Sequence, residues 1–423
     1  MRNIYFLIIF NFIFILQKYP ITNAQHEPLA RLWNIPDDQI SNFLARENQL
    51  KDADRIVKQQ IQYINDNTYA GSYIRTIDNN VVFYTTYATA VNTILNLPAV
   101  IPIMDLLRFD VRAQNNFNLA GLKARRDRVY ELALEHNPVF VTIFLDIELN
   151  NVVVSLYHEY DDENRPFTDD VNQQFNNPPI VFEYKDLPDN EQLNANVSAI
   201  KRRDLQITML AGDGFCNLDQ SLTCSLGYFG IRQTAAGAQE RVFVTSGRCY
   251  RYEIDYHLKP WSPLGVQPPH IYHIGRMDSS SIRHSVIDYG VLRIEEGENR
   301  PTPFIKNLDS PSHPMLQIWN RNLNRDIHVG IHLCKSGYHT RVTCGYQRSL
   351  QAFFTDQTDP YIIAHVINIE NNWQDVGGPV FQFRTLSTVN LVGILTGGIG
   401  NIGLTTDLNE ITRSSGVTLV RVN

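Results

Sequence analysis

Four short segments in the second half of the chain carry residue types that could do chemistry. "DYGVLRI" places a carboxylate, Asp288, ahead of a strand-like run, and "TSGRC" sets a permanent cation, Arg248, beside Cys249. "WQDVGGPVF", residues 373–381, puts Gln374, Asp375 and Val376 before a glycine pair, and "LTGG" ends an apolar run with Thr396, Gly397 and Gly398. A carboxylate can orient a base, and a glycine-rich turn can aim backbone N–H groups at developing negative charge. Neither Val376 nor Arg248 adds a nucleophile or a base to these segments. Valine has no nucleophilic atom, and arginine stays protonated and cannot accept a proton. Ser246 and His257 near Arg248 could supply a hydroxyl and a base only in a different geometry; they read as a small core residue and a loop histidine. The spacings of His270 with His273 and of His328 with His332 are compatible with a metal, but no third ligand stands in a motif beside them. They read as ordinary histidines. No glycine loop leads from a strand into a helix to cradle a phosphate.

The elements that must position these residues follow from the chain as a whole. Its 423 residues suffice for two or three domains, and the net charge of −7 gives no support to nucleic-acid binding. At the N-terminus Arg2 precedes an apolar run, Ile4 to Leu16, and then Thr22-Asn23-Ala24. This predicts a secretory signal peptide over residues 1–24, cut after Ala24, and a secreted, extracellular protein with no membrane span. The cysteines are Cys216, Cys224, Cys249, Cys334 and Cys344. Export permits disulfides, and an odd count leaves one thiol over.

Residues 25–160 mix two periodicities. Ile40, Phe43, Leu44, Leu50, Ala53, Val57, Ile61 and Ile64 share one helical face. "SYIRTIDNNVVFYTTY" then reads as two strands around Asp78-Asn79-Asn80. A helical stretch over Leu119–His136 precedes a second hairpin turning at Asn150-Asn151. The region is α+β, a helix-plus-hairpin unit used twice. Residues 161–204, rich in Asp, Asn and Pro, read as a linker with a sequon at Asn196 and a candidate processing site at Lys201-Arg202-Arg203. From residue 205 short Val/Ile/Thr/Tyr/Phe runs alternate with turn residues, which predicts an all-β domain through 423.

Four motifs of this second region stand in one order: "CSLGYFGI" with "FVTSGRC", then "DYGVLRI", then "CKSGYHTRVTCG", then "QDVGGPVF" with "VGILTGGIGN". Together they resemble the chymotrypsin-like serine proteases, specifically the alpha-lytic protease and streptogrisin branch. Members show "TAGHC", "DYG" or a close variant, "CxSGxxTGxxCG", "GDSGGP" or "GDSGGS", and an "SGG" strand. The match covers nearly all of residues 212–423.

The resemblance implies an all-β double six-stranded barrel, the trypsin-like serine protease fold, preceded by an α+β pro-region. It aligns Asp288 with the retained triad aspartate, Arg248 with the histidine and Val376 with the serine. Gln374 and Asp375 fall in the oxyanion loop, with Gln374 in place of a glycine that donates one N–H. Thr396 matches a serine that hydrogen-bonds the aspartate, and Thr396, Gly397 and Gly398 match the strand on which substrate peptides lie. Arg248 and Asp288 would then face each other as an ion pair. The family's framework bridges imply Cys224–Cys249 and Cys334–Cys344. A third family bridge is missing at both ends, with no cysteine before Gln374 and Ile402 at the other position; Cys216 is left over. The functional expectation is a catalytically inactive homologue that binds a peptide, a protein or a protease inhibitor, without cofactor or metal, nucleic acid or membrane. The alternative is a serine-type endopeptidase with residual or unrecognised hydrolytic activity.

Overall fold

The computed structural model describes residues 26–63, 67–112, 117–187, 198–199, 207–234, 236–261, 270–278, 287–295, 299–319, 327–355 and 362–422. The expected signal peptide, the Asn196 sequon and the Lys201-Arg202-Arg203 triplet lie outside the described residues.

The first region runs α1 (Pro28–Trp33), α2 (Ile40–Tyr63), β1 (Tyr69–Arg75), β2 (Asn80–Thr85), α3 (Ala88–Leu95), β3 (Leu107–Val111), α4 (Leu119–His136), β4 (Val141–Asp146), β5 (Asn151–Tyr157), α5 (Asp161–Gln174) and β6 (Val181–Lys185). Both hairpins turn where the asparagines stand, with Asn79 at φ 54° and Asn150 at φ 50°. Asparagine tolerates that left-handed backbone because its short polar side chain bonds locally. α4 begins where the Asn118 side chain accepts the Gly121 N–H at 2.8 Å, and it ends at Asn137, φ 47°.

The linker expected over residues 161–204 begins later than the composition indicates. Residues 161–185 fold as α5 and β6, and β6 pairs in parallel with β5. Asp161, Asp162 and Glu163 lie in the first turn of α5, where negative charge complements the helix dipole. Phe167 and Val171, one turn apart, bury against Leu122, Val129 and Leu132. Two apolar anchors in a polar stretch are enough to fix the helix, since a buried side chain of that size contributes roughly 1.5–3 kcal/mol.

The second region continues with β7 (Ser198–Ala199), β8 (Ile207–Ala211), β9 (Gly214–Cys216), β10 (Thr223–Ser225), β11 (Tyr228–Gln233), β12 (Gln239–Thr245), β13 (Asp255–Lys259), β14 (His270–Arg276) and β15 (Gly290–Arg293). Then come β16 (Asn299–Lys306), β17 (Met315–Ile318), β18 (His332–Gly337), β19 (Arg341–Thr355), β20 (Ile362–Asn368), β21 (Pro379–Phe383), β22 (Thr388–Ile399), β23 (Ile402–Asp407), α6 (Leu408–Ser415) and β24 (Thr418–Leu419).

Antiparallel pairings close two rings. In the first, β9 pairs with β10, which runs on into β11; β11 pairs with β12, β12 with β15, β14 with β13 and β13 with β9. A bridge between Met277 and Leu292 joins β14 to β15 and completes it. The second runs β18–β19–β20–β23–β22–β21 and back to β18. These are the two six-stranded barrels, and closure removes the exposed strand edges.

The first region is built onto the second barrel. β4 pairs antiparallel with the far half of β19, Phe144 opposite Ala352, so that β6-β5-β4 extends that sheet. Leu29, Trp33 and Ile40 share a core with Phe381 and Phe383, and Phe144 and Tyr157 share one with Phe354 and Leu404.

Candidate functional site

Asp288 sits just before β15 and is fully buried. Its Oδ2 accepts the Ser246 hydroxyl at 2.5 Å and its Oδ1 the Gly247 N–H at 2.7 Å. Those donors precede Arg248 on a short 3₁₀ turn, Gly247–Cys249, that Ser246 caps by accepting the Arg248 N–H. Ser246 is therefore a polar support of the aspartate rather than a small core filler. The Arg248 guanidinium lies 4.9 Å from the centre of the Phe354 ring. The Asp288 carboxylate accepts from the two residues that precede Arg248.

Val376 is 4% exposed and packs with Cys224, Phe229, Phe243 and Cys249. Its side chain closes a hydrophobic cluster. Gly377 has φ +92°, and a Cβ there would lie 2.0 Å from Thr245 Oγ1; at Gly378 it would lie 2.3 Å from the Ser336 carbonyl. Close packing thus requires both glycines whether or not the loop reacts.

The N–H groups of the loop are turned inward. Trp373–Asp375 forms a 3₁₀ turn in which Asn372 Oδ1 accepts the Gln374 N–H at 3.0 Å and the Trp373 carbonyl accepts the Val376 N–H at 3.3 Å. Both N–H groups are thus occupied within the loop, that of Gln374 at the position where the resemblance places an oxyanion donor. Asp375 completes the turn by accepting the Asn372 N–H at 3.0 Å.

Asp375 is also half of a buried ion pair. Lys335 on β18 lies 3.0 Å away, and neither side chain is exposed. The carboxylate further accepts the His339 and Thr340 N–H groups at 2.8 and 3.0 Å and the Thr340 hydroxyl at 2.7 Å. Burial by itself would raise this carboxyl, but the Lys335 ammonium and the Thr340 donors hold it below the usual aspartate value. Burial pulls the Lys335 ammonium down, against the opposing field of Asp375. The sequence reading missed Lys335, though a lone charge between Cys334 and Ser336 in an apolar strand is the signal that could have found it.

Thr396 does not reach Asp288: its hydroxyl donates to the Leu404 carbonyl across the β22–β23 pair, at 3.2 Å. Gly397 and Gly398 pair with Leu404 and Gly403. The Gly398 carbonyl accepts the hydroxyl of Tyr157 from the first region at 3.2 Å. Tyr157, Asn371, Asn372, Trp373, Val376 and Gly398 are among the residues lining the pocket beside this strand. The space left there, ≈ 10 Å³, suffices for about one water molecule. Phe140 of the first region meets the Trp373 ring at 6.1 Å.

The disulfides Cys224–Cys249 and Cys334–Cys344 are formed. Cys216 is a buried thiol, pushed up to about 12 by burial. Ile402 is buried in β23. In place of the missing third bridge, the Asn371 amide donates to the Gly400 carbonyl at 3.1 Å and the Ile369 N–H to the Asn401 carbonyl at 2.8 Å. The paired histidines are apart in role: His328 contacts Asp54 and His332 contacts Glu47, each from α2. His257 stands opposite Cys216 and His273 on adjacent strands.

No protein-family model and no curated protein matches the chain. Among solved structures, Protease A of Thermobifida fusca is 17% identical, covering 51% of this chain and all of that one, with a TM-score of 0.39. The Nocardiopsis protease is 17% identical over 51% of this chain and all of that one, TM-score 0.37. An alpha-lytic protease homologue, N4, is 16% identical over 51% of this chain and all of that one, TM-score 0.37. The fold assignment rests on the strand pairings. With two closed six-stranded rings, the second region has the double-barrel fold of the chymotrypsin-like serine proteases.

Proposed function

We propose that the chain is a secreted serine protease homologue without peptidase activity, acting by binding a peptide or protein segment. Val376 carries the first half of this reading. It stands at the nucleophile position as a buried side chain with no atom to attack a carbonyl. Two further features support it. Arg248 cannot serve as a base, and the Gln374 and Val376 N–H groups already have acceptors within the loop.

The binding half rests on Thr396–Gly398, where β22 runs past its last pairing with β21 and an extended segment could add by β-pairing on the side away from β23. That edge is in contact with the chain's own first region through Tyr157. A peptide ligand would compete with this resident contact. Secretion is supported by the apolar N-terminal run and by the two disulfides.

Treatment of the purified protein with a fluorophosphonate, followed by peptide mapping, tests the inactive reading. No serine in residues 212–423 should be labelled. A labelled serine there would mean that a nucleophile works from a different position.

A further inference from the structure

The face between the first region and the second barrel is apolar in most places, yet one stripe across it is charged. Glu47, Lys51, Asp54 and Lys58 follow one another at helical spacing along α2, and all but Lys58 are buried. Each of the two acids meets a histidine of the second region. Glu47 Oε2 accepts from His332 Nδ1 at 2.7 Å, its Oε1 accepts the His332 backbone N–H at 2.8 Å, and Gln382 and Thr76 fill its remaining positions. Asp54 contacts His328 Nδ1, takes Lys58 at 2.7 Å and accepts the Ser72 hydroxyl at 2.5 Å. A third pair lies at the other end of the face: Glu27, ahead of α1, lies 3.3 Å from His313 Nδ1 and accepts the Ser310 hydroxyl at 2.5 Å.

We infer that the Glu47–His332 and Asp54–His328 pairs form a pH-sensitive clasp that seats the first region on the second barrel at neutral pH and loosens as the pH falls through the acid range. The tautomer of His332 is fixed by geometry. Its Nε2 accepts the Phe383 N–H at 3.0 Å, so the ring proton is on Nδ1 and points at Glu47. His328 Nε2 is buried without a hydrogen-bond partner, so its ring is held from the Nδ1 side by Asp54.

Among the described residues, the other titratable groups at the clasp are few. Lys51 lies 3.4 Å from Gln382 and adds attraction for Glu47. Lys58 does the same for Asp54. Tyr69 bonds Ser72 beside Asp54, and burial, then Asp54, pushes its hydroxyl up. Tyr346 is pushed up to about 12 by burial and by Glu47. At Glu27, Asp37 accepts the backbone N–H and pairs with His26.

Burial would raise Glu47 and Asp54, but their partners overcome it and hold both below their ordinary values of 4.5 and 3.8. A carboxyl depressed in this way stabilises the seated state above its free value. That contribution is lost as the pH falls through the depressed one. The window therefore lies below about pH 4.5.

Hydrogen exchange of the full chain between pH 7 and pH 3.5, corrected for intrinsic rates, tests the inference. Amides of α2 should lose about tenfold or more of their protection, one pK unit of linkage being tenfold. Amides of β12, in the first barrel away from the clasp, should keep theirs. In Glu47→Gln/Asp54→Asn protein the pH dependence of α2 should disappear. Equal loss in α2 and β12 of the native chain, no loss in α2, or an unchanged pH dependence in the variant would each overturn it.

Discussion

Lys335 and Asp375 meet 3.0 Å apart with neither side chain exposed, and on this pair the conformation of the loop 373–381 depends. The aspartate cannot move without abandoning four other donors and a buried ammonium. Since Asp375 also closes the 3₁₀ turn, the ion pair holds the Gln374 and Val376 N–H groups toward the loop interior.

Lys335→Met should be strongly destabilising. Breaking a buried pair leaves an uncompensated charge and costs about 3–5 kcal/mol. Urea denaturation of the native and variant proteins at pH 7 measures it. Because Asp375 is held below its ordinary 3.8, its contribution is present above that value and lost as the pH falls through the lowered one. The difference between the two proteins should therefore shrink at pH 3. A cost below about 1 kcal/mol at pH 7 would mean that the pair is not buried as described.

Asn371 ties the strand before the loop to the turn after β22 at the place where the resembled family has a disulfide. Asn371→Ala removes donors to the Ile369 and Gly400 carbonyls. The expected loss is about 0.5–1.5 kcal/mol per net bond. Exchange should quicken at Ile369 and in Trp373–Val376 and stay unchanged in β12. Unaltered exchange in the loop would show that the amide does not restrain it.

Tyr157 couples the first region to the strand proposed to take ligand. Tyr157→Phe should lose only the hydrogen bond, about 1 kcal/mol. Tyr157→Ala should open the pocket and raise capture of peptides from an immobilised library. Equal capture by the native, Phe and Ala proteins would place any peptide site elsewhere.

Sequence legibility divided along physical lines. The barrels could be read because alternation and turn residues act locally, and because the four motifs carry their order with them. Asn79 and Asn150 marked the two hairpin turns through their own backbone preferences. α5 was hidden because two buried anchors, Phe167 and Val171, sit among charges that favour a helix start and look like a linker in composition. The Lys335–Asp375 pair and the histidine pairs join residues 40 and about 280 positions apart, and no local pattern encodes such contacts. The clasp left one trace. Four of the seven charges of α2, at 47, 51, 54 and 58, share a face with apolar neighbours, and three of those four are buried, so they required partners elsewhere. Thr396 was misplaced because alignment gives position along a strand but not the rotamer that sends its hydroxyl to Leu404.

On the proposed reading, the loop around Val376 is a packed structural element and not a working active site. Turnover of a broad peptide library, with the native protein beside Arg248→His/Val376→Ser, tests it most directly. The native chain should release no product above buffer. The double variant should stay far below a working protease, because its Gln374 and residue-376 N–H groups still point to Asn372 and Trp373. Hydrolysis by the native chain, abolished by a substitution in residues 212–423, would contradict the account.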